Sequence, residues 1–150
     1  MQKIIGVIGG SLVDPEIYEL ARAVGQKIAR EGFTLVTGGR TGVMEAASRG
    51  AKEAGGLVIG ILPGDSSTEA NPYVDVPIVT GLGIARNSII VRTAQVIIAI
   101  DGSYGTLSEL AFALQMRKPI IGLRTWDVDE TIQKTETADE AIQLARSFLA

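Results

Sequence analysis

The sequence VIIAIDGSYGTLSEL occupies residues 96–110 and decides the fold. Five apolar residues, four of them β-branched, precede Gly102 and Gly105, and leucines then recur at helical spacing at Leu107, Leu110 and Leu114. This pattern predicts a buried strand, a tight turn and a helix. Because such a helix directs its unpaired backbone N–H groups outward at the carboxyl end of the strand, the turn is a natural phosphate-binding site.

The rest of the chain repeats this alternation of strand and helix. Further strands are predicted at residues 4–8, 33–36, 57–62, 76–79, 120–123 and 132–135. Pro77 is expected either in an edge strand or at the start of a strand, so the strand at 76–79 lies at an edge of the sheet or begins near Pro77. The alternation predicts an α/β protein: a Rossmann-like, doubly wound, mostly parallel sheet with helices on both faces, in one domain over residues 1–150.

Helices are predicted from their caps and apolar stripes. Asp14 followed by Pro15 is typical of a helix start, and Thr137 with Glu140 forms a capping box. Residues 84–92 are predicted as a helix that leads to the central strand. The apolar faces of the first and last helices are predicted as Tyr18, Ala21, Val24, Gly25 and Ile28, and as Ala141, Leu144, Ala145 and Phe148.

Composition excludes several classes of function. With 14 basic and 17 acidic residues, the chain lacks the positive charge that a nucleic-acid partner requires. It has no cysteine and no histidine, so any acid–base step must use a carboxylate, lysine, tyrosine or water. The apolar run near the amino terminus is too short for a signal peptide or a membrane span, so we expect a cytoplasmic protein without membrane contact.

Three glycine-rich turns follow predicted strands. The glycines of a single turn are explained if its backbone needs a positive φ, but three such turns at the same rim of a sheet favour a crevice that binds a ligand. We expect Thr41 and Thr106 to donate hydrogen bonds to phosphate. No complete dinucleotide fingerprint and no Walker lysine is present, which argues against a nicotinamide dehydrogenase and a P-loop nucleotidase. The candidate phosphate-binding turns are Gly9-Gly10-Ser11, Gly38-Gly39-Arg40-Thr41-Gly42 and Gly102-Ser103-Tyr104-Gly105-Thr106.

Two charged residues are candidates for the same crevice. On a helix, the side chain of Arg86 lies on the same face as Ile89 and Ile90, so its charge needs either a protein carboxylate or an anionic ligand as a partner. Asn87 follows Arg86 directly and is a candidate for the same site. Glu109 lies one turn into the helix that follows Gly105. Its carboxylate either responds to the helix dipole or acts on a ribose hydroxyl or a water beside the phosphate.

At these residues the chain resembles the LOG superfamily of Rossmann-like proteins, a group long given a lysine decarboxylase label. Residues 38–45 resemble the family's first glycine motif, and residues 101–109 resemble its PGGxGTxxE motif. The family's proline is Asp101 here, its second glycine is Ser103, and its Arg-Lys pair is Arg86-Asn87. The chain is more similar to the bacterial subgroup that resembles molybdenum-cofactor carriers. Decarboxylation fits poorly, because all five lysines lie outside the glycine turns.

Two functions stand as alternatives. The first is a binding protein for a phosphorylated, nucleotide-like small molecule; the subgroup resemblance implies molybdenum cofactor. The second is a hydrolase that cleaves a nucleoside 5′-monophosphate to free base and ribose 5-phosphate, for which the resemblance implies Arg86 and Glu109 as the catalytic pair. Neither requires a cofactor or a metal. A purely structural module is a third alternative, and it leaves the glycine turns without a use. The resemblance also implies a homodimer or homotetramer.

Overall fold

A seven-stranded sheet forms the centre of the computed structural model, which describes residues 1–150, and every neighbouring pair of strands is parallel. The strand order is β4-β3-β2-β1-β5-β6-β7, so the predicted doubly wound fold is confirmed. Pro77 lies in an edge strand, as predicted. The strands are β1 (Ile4–Gly9), β2 (Thr34–Thr37), β3 (Val58–Leu62), β4 (Val76–Val79), β5 (Val96–Ile100), β6 (Ile120–Leu123) and β7 (Gln133–Thr135).

Five α-helices cover the two faces of the sheet. One face packs against α1, α2 and α5, and the other packs against α3 and α4. None of these helices combines the length and the apolar character that crossing a bilayer demands. The helices are α1 (Pro15–Arg30), α2 (Val43–Glu53), α3 (Asn87–Thr93), α4 (Tyr104–Gln115) and α5 (Ala138–Leu149), and two 3₁₀ turns occur at Ser67–Glu69 and Gly83–Arg86.

Strand β5 is buried along its whole length. Ile98 and Ile100 belong to the core under α1, α2 and α5, whereas Ile97 and Ala99 belong to the core under α3 and α4. Burial on both faces explains why this strand is a continuous apolar run rather than an alternating one.

Helices α1 and α2 touch backbone to backbone through a glycine on each. A Cβ atom on Gly25 would lie 1.9 Å from the carbonyl oxygen of Ala47, and one on Gly50 would lie 1.9 Å from that of Arg22. No side chain fits at either position, so both glycines are required by the close approach of the helices.

The order of the strands places a crevice beside β1. From β1 the chain proceeds outward to β4 on one side, and it then returns to β5 on the other side, where Gly9 pairs with Ile100. The connections that leave β1 and β5 therefore diverge at their carboxyl ends. In open α/β sheets this switch point is where ligands bind.

Three predictions of local structure need correction. Residues 84–92 are not one helix: a 3₁₀ turn ends at Arg86, and α3 begins at Asn87. In α5 the buried face includes Ile142 and Leu149, whereas Phe148 is exposed. In α1 the buried residue of the first turn is Ile17, and Tyr18 is only half-buried. The rest of the stripe predicted for α1 is buried, as are Ala141 and Ala145 of α5. The errors lie at positions where an adjacent apolar residue competes for the buried face.

Candidate functional site

A cavity of about 170 Å³ opens at the carboxyl ends of β1 and β5, and we refer to it as the switch-point cavity. It brings together residues from all three glycine-rich turns and from the start of α3. Among the predicted site residues, those that line it are Gly9, Ser11, Gly38, Arg86, Asn87, Ser103, Gly105, Thr106 and Glu109. Lining residues that sequence reasoning missed are Val7, Ile8, Met44 and Ile84.

The remaining predicted site residues lie outside the lining: Gly10, Gly39, Arg40, Thr41, Gly42, Gly102 and Tyr104. Several of them build the walls. Gly42 has a φ of 65°, and a Cβ there would lie 2.2 Å from the carbonyl oxygen of Gly10, so two of the turns pack directly on each other. Arg40 forms an ion pair with Glu69 at 3.5 Å.

The hydroxyl of Thr41 does not point to the cavity as a free donor. It donates to the carbonyl oxygen of Ser11 at 2.9 Å, which ties the turn after β2 to the turn after β1. In this structure the hydroxyl of Thr41 is therefore already used within the protein, and donation from Thr41 to phosphate stays a prediction.

The guanidinium of Arg86 is fixed by two neighbours. Its Nη1 donates to Oδ1 of Asn87, and its Nη2 donates to the carbonyl oxygen of Gly38 at 3.4 Å. The buried Nε–H has no partner. Arg86 is the last residue of a 3₁₀ turn, so the expected i+3 and i+4 spacing on an α-helix is not what places it. Burial lowers the pKa of Arg86, and the nearby Glu109 carboxyl opposes that effect.

Asn87 connects Arg86 to α4. Its side chain is buried, and Nδ2 donates to Oγ of Ser108 at 3.1 Å, while that hydroxyl donates to the carbonyl oxygen of Gly105 at 2.7 Å. The chain of hydrogen bonds holds the guanidinium at a set position relative to the turn after β5. Gly38 of the second turn leaves room for the guanidinium, because a Cβ on this residue would lie 2.8 Å from Nη2 of Arg86.

Glu109 reaches the cavity from the second turn of α4 and is only 7% exposed. Burial raises the pKa of its carboxyl to about 8, and the positive charge of Arg86 opposes only part of that rise. A carboxylic acid with such a pKa is largely protonated at neutral pH and can donate a hydrogen bond.

The first turn of α4 supplies further donors. The backbone N–H groups of the first residues of a helix have no acceptor within that helix, and Gly105 and Thr106 of this turn line the cavity. The hydroxyl of Thr106 is buried and has no hydrogen-bond partner. Gly102 has a φ of 129°, and a Cβ there would lie 2.6 Å from the Cβ of Thr106, so the turn closes tightly over this side chain.

The end of β5 carries a backbone feature that favours a functional turn. Asp101 has a φ of 53°, a region that residues other than glycine rarely adopt. Its backbone is held by a hydrogen bond to the carbonyl oxygen of Leu123 at 3.0 Å and by the hydroxyl of Thr125 at 2.7 Å. The strained residue directly precedes the turn that borders the cavity, which is typical of ligand-binding loops.

Fold and site together define a class: a Rossmann-like α/β protein with a polar cavity at the topological switch point. The guanidinium of Arg86, the buried carboxyl of Glu109 and the amino terminus of α4 all border this cavity. The chain belongs to the SLOG cluster4 family, whose model matches residues 2–148. The predicted membership of a LOG-like superfamily is thereby confirmed.

Solved structures of similar proteins cover the whole chain. The molybdenum cofactor binding protein of Rippkaea orientalis is 41% identical, with a TM-score of 0.95 over 100% of this chain and 99% of that one. The molybdenum cofactor carrier protein of Chlamydomonas reinhardtii is 37% identical, with a TM-score of 0.89 over 99% of each chain.

A curated enzyme is similar over a shorter stretch. The cytokinin riboside 5′-monophosphate phosphoribohydrolase of Mycobacterium marinum is 37% identical over 99 residues, which are 64% of this chain and 53% of the enzyme. The match thus spans about half the length of that enzyme.

Proposed function

We propose that this protein binds a phosphorylated, nucleotide-like small molecule in the switch-point cavity and acts as its carrier. One observation carries the proposal: Nε of Arg86 and the hydroxyl of Thr106 are buried without partners beside the same cavity. Buried polar groups are normally paired, so this pair of unused donors suits a ligand with several acceptor oxygens. The unpaired N–H groups at the start of α4 favour the same anion.

The comparisons support molybdenum cofactor, a pterin that carries a phosphate, as the ligand. The Rippkaea protein is described as binding this cofactor and the Chlamydomonas protein as carrying it, and both match this chain almost from end to end. The cofactor would be cargo, held by its phosphate near Arg86 and Thr106 and released intact.

The experiment is a calorimetric titration of the protein with ribose 5-phosphate. Native mass spectrometry of the purified protein accompanies it. Arg86→Gln is expected to weaken binding at least tenfold, since hydrogen bonds to charged groups are worth about 1.5–3 kcal/mol. Arg92→Gln is the matched control, because Arg92 is an exposed residue of α3 away from the cavity. Failure of ribose 5-phosphate to bind, or native affinity in Arg86→Gln, would refute the proposal.

A second candidate function is hydrolysis of a nucleoside 5′-monophosphate to free base and ribose 5-phosphate. The raised pKa of Glu109 supports it, because a protonated acid beside the sugar can assist departure of the base. The similarity to the mycobacterial enzyme points the same way. Incubation with AMP distinguishes the candidates: base release that is lost in Glu109→Gln would favour the hydrolase, and binding without release would favour the carrier.

A further inference from the structure

Three highly exposed apolar side chains belong to residues that line the switch-point cavity or adjoin its lining along the chain. Leu12 is 91% exposed, Ile84 is 87% exposed and Tyr104 is 82% exposed, whereas every other large apolar side chain after the first residue is at most 53% exposed. Ile84 lines the cavity, Leu12 directly follows the lining residue Ser11, and Tyr104, the first residue of α4, lies between the lining residues Ser103 and Gly105. Isolated exposed apolar residues are ordinary, but their concentration around one opening indicates a surface that a ligand or partner covers.

Tyr104 differs from the other two because a second aromatic ring supports it. Its ring stacks on Trp126, with centroids 6.4 Å apart and planes inclined by 27°. The indole Nε1–H of Trp126 donates to the carbonyl oxygen of Ser103 at 3.1 Å, which fixes the stack to the turn that borders the cavity. One face of the tyrosine ring is thus supported, and the side chain remains largely exposed.

The size of the cavity requires part of the ligand to lie outside it. Pockets that enclose a whole small-molecule ligand measure roughly 300–1,000 Å³, and the switch-point cavity measures about 170 Å³. It can hold a phosphate and the group next to it. The ring of a nucleotide-like ligand must then lie at the mouth.

We propose that the planar heteroaromatic ring of the phosphorylated ligand stacks on the exposed face of Tyr104, with Leu12 and Ile84 at the border of the same opening. This inference rests on the proposed binding function and adds a ring subsite to it. Stacking between a base and an aromatic side chain tolerates different ring systems, so the subsite accepts a purine or a pterin.

The test compares two phosphates that differ in the ring. Formycin 5′-monophosphate carries a purine-like ring on a carbon–carbon glycosidic bond that cannot be hydrolysed, and ribose 5-phosphate has no ring. We expect the native protein to bind the ring-bearing compound roughly tenfold more tightly by calorimetry. Tyr104→Ala is expected to remove this preference while leaving the affinity for ribose 5-phosphate unchanged, and Tyr104→Phe is expected to retain it.

Two further readouts sharpen the test. Trp126 is the only tryptophan, so its emission is expected to change with formycin 5′-monophosphate and not with ribose 5-phosphate. Phe112→Ala is the matched control, because Phe112 is an exposed aromatic residue of α4 that lies away from the cavity lining.

Each contrary outcome has a separate meaning. Equal affinities for the two compounds, a preference that survives Tyr104→Ala, or an equal loss for both compounds in that variant would overturn the ring subsite alone. A change of oligomeric state in Tyr104→Ala with the preference intact would overturn it in favour of a second copy of the chain. If neither compound binds, both the subsite and the proposed function fail.

Discussion

Arg86, at the end of the 3₁₀ turn before α3, and Glu109, on α4, enter the same cavity and interact electrostatically, yet the hydrogen bonds of the guanidinium go to Asn87 and Gly38. Burial dominates the carboxyl, whose pKa rises to about 8 although a cation stands near it. The arginine stays charged under all ordinary conditions. At neutral pH the cavity therefore combines a cation with a mostly neutral acid, and this combination favours an anionic ligand.

Glu109 should make the stability of the protein fall as the pH rises. The unfolded chain ionises this carboxyl near its ordinary pKa of 4.5, whereas the folded protein ionises it near 8. Between these values the folded state binds more protons, so its stabilisation is complete below pH 4.5 and is lost as the pH rises through 8. In urea unfolding, we expect the native protein to lose about 3 kcal/mol relative to Glu109→Gln between pH 5 and pH 8. Parallel stability curves for the two proteins would contradict this assignment.

Glu109 should also control the affinity for phosphate. Phosphate esters lose their second proton near pH 6, so the charge of ribose 5-phosphate is constant between pH 7 and 9.5. Over that range the ionisation of Glu109 introduces a like charge into the cavity. We expect the affinity of the native protein to fall by about tenfold or more, and that of Glu109→Gln to stay nearly constant. Calorimetry at a fixed ionic strength measures both, and an equal fall in the two proteins would assign the effect to another group.

Asn87 should position Arg86 rather than contribute charge. Asn87→Asp keeps an acceptor for the guanidinium, but it replaces the Nδ2 donor to Ser108 with a carboxylate oxygen and places a negative charge beside the cation. We expect this variant to bind ribose 5-phosphate at least tenfold more weakly with little change in the urea midpoint, because buried opposite charges neutralise each other. Ser108→Ala serves as the comparison, since it removes only the far end of the network and should cost a few-fold in affinity. A larger loss of affinity in Ser108→Ala than in Asn87→Asp would mean that the hydrogen bonds affect binding through α4 and not through the position of Arg86.

The sequence predicted the fold through features that are local and strongly patterned. The uninterrupted apolar run of β5, the cap at Asp14 and the proline of the edge strand are local signals that restrict the structure strongly, and the elements they predicted are confirmed. The glycine turns predicted the rim of the sheet where the cavity lies, although the roles of these residues in binding stay predictions. The convergence of the three turns depends on the strand order. A crevice forms at this rim only because the chain returns from β4 to place β5 beside β1.

The parts of the site that could not be predicted depend on contacts between distant segments. The guanidinium of Arg86 reaches the backbone carbonyl of Gly38, and no residue type signals such an acceptor. Four residues cannot distinguish a 3₁₀ turn from the start of an α-helix by apolar spacing, so the segment that ends at Arg86 was wrongly predicted as helical. Thr41 was assigned to phosphate because nothing local indicates that its hydroxyl meets Ser11.

The glycine contact between α1 and α2 predicts a strong effect on stability. Gly25→Ala places a methyl group against the backbone of Ala47, which cannot move without separating the helices. We expect urea unfolding to show a loss of about 3 kcal/mol, at the upper end of the range for overpacking. Gly105→Ala is the matched control, because a Cβ there meets nothing within 4 Å. A stability of Gly25→Ala close to that of the control would show that the helices can separate at low cost.

The β4 edge predicts self-association. Val76, Ile78 and Val79 are exposed along this strand, and Leu82 follows them in the loop that leads towards the cavity. An exposed apolar edge strand is a ready surface for pairing with a second chain, and natural proteins usually cover it. We expect light scattering after gel filtration to show a dimer or tetramer, and Ile78→Lys to shift the population towards the monomer. Val128→Lys changes a similarly exposed side chain outside β4, and it should leave the assembly intact. A native protein that is monomeric at micromolar concentration, or equal effects of the two lysines, would show that this edge is not the interface.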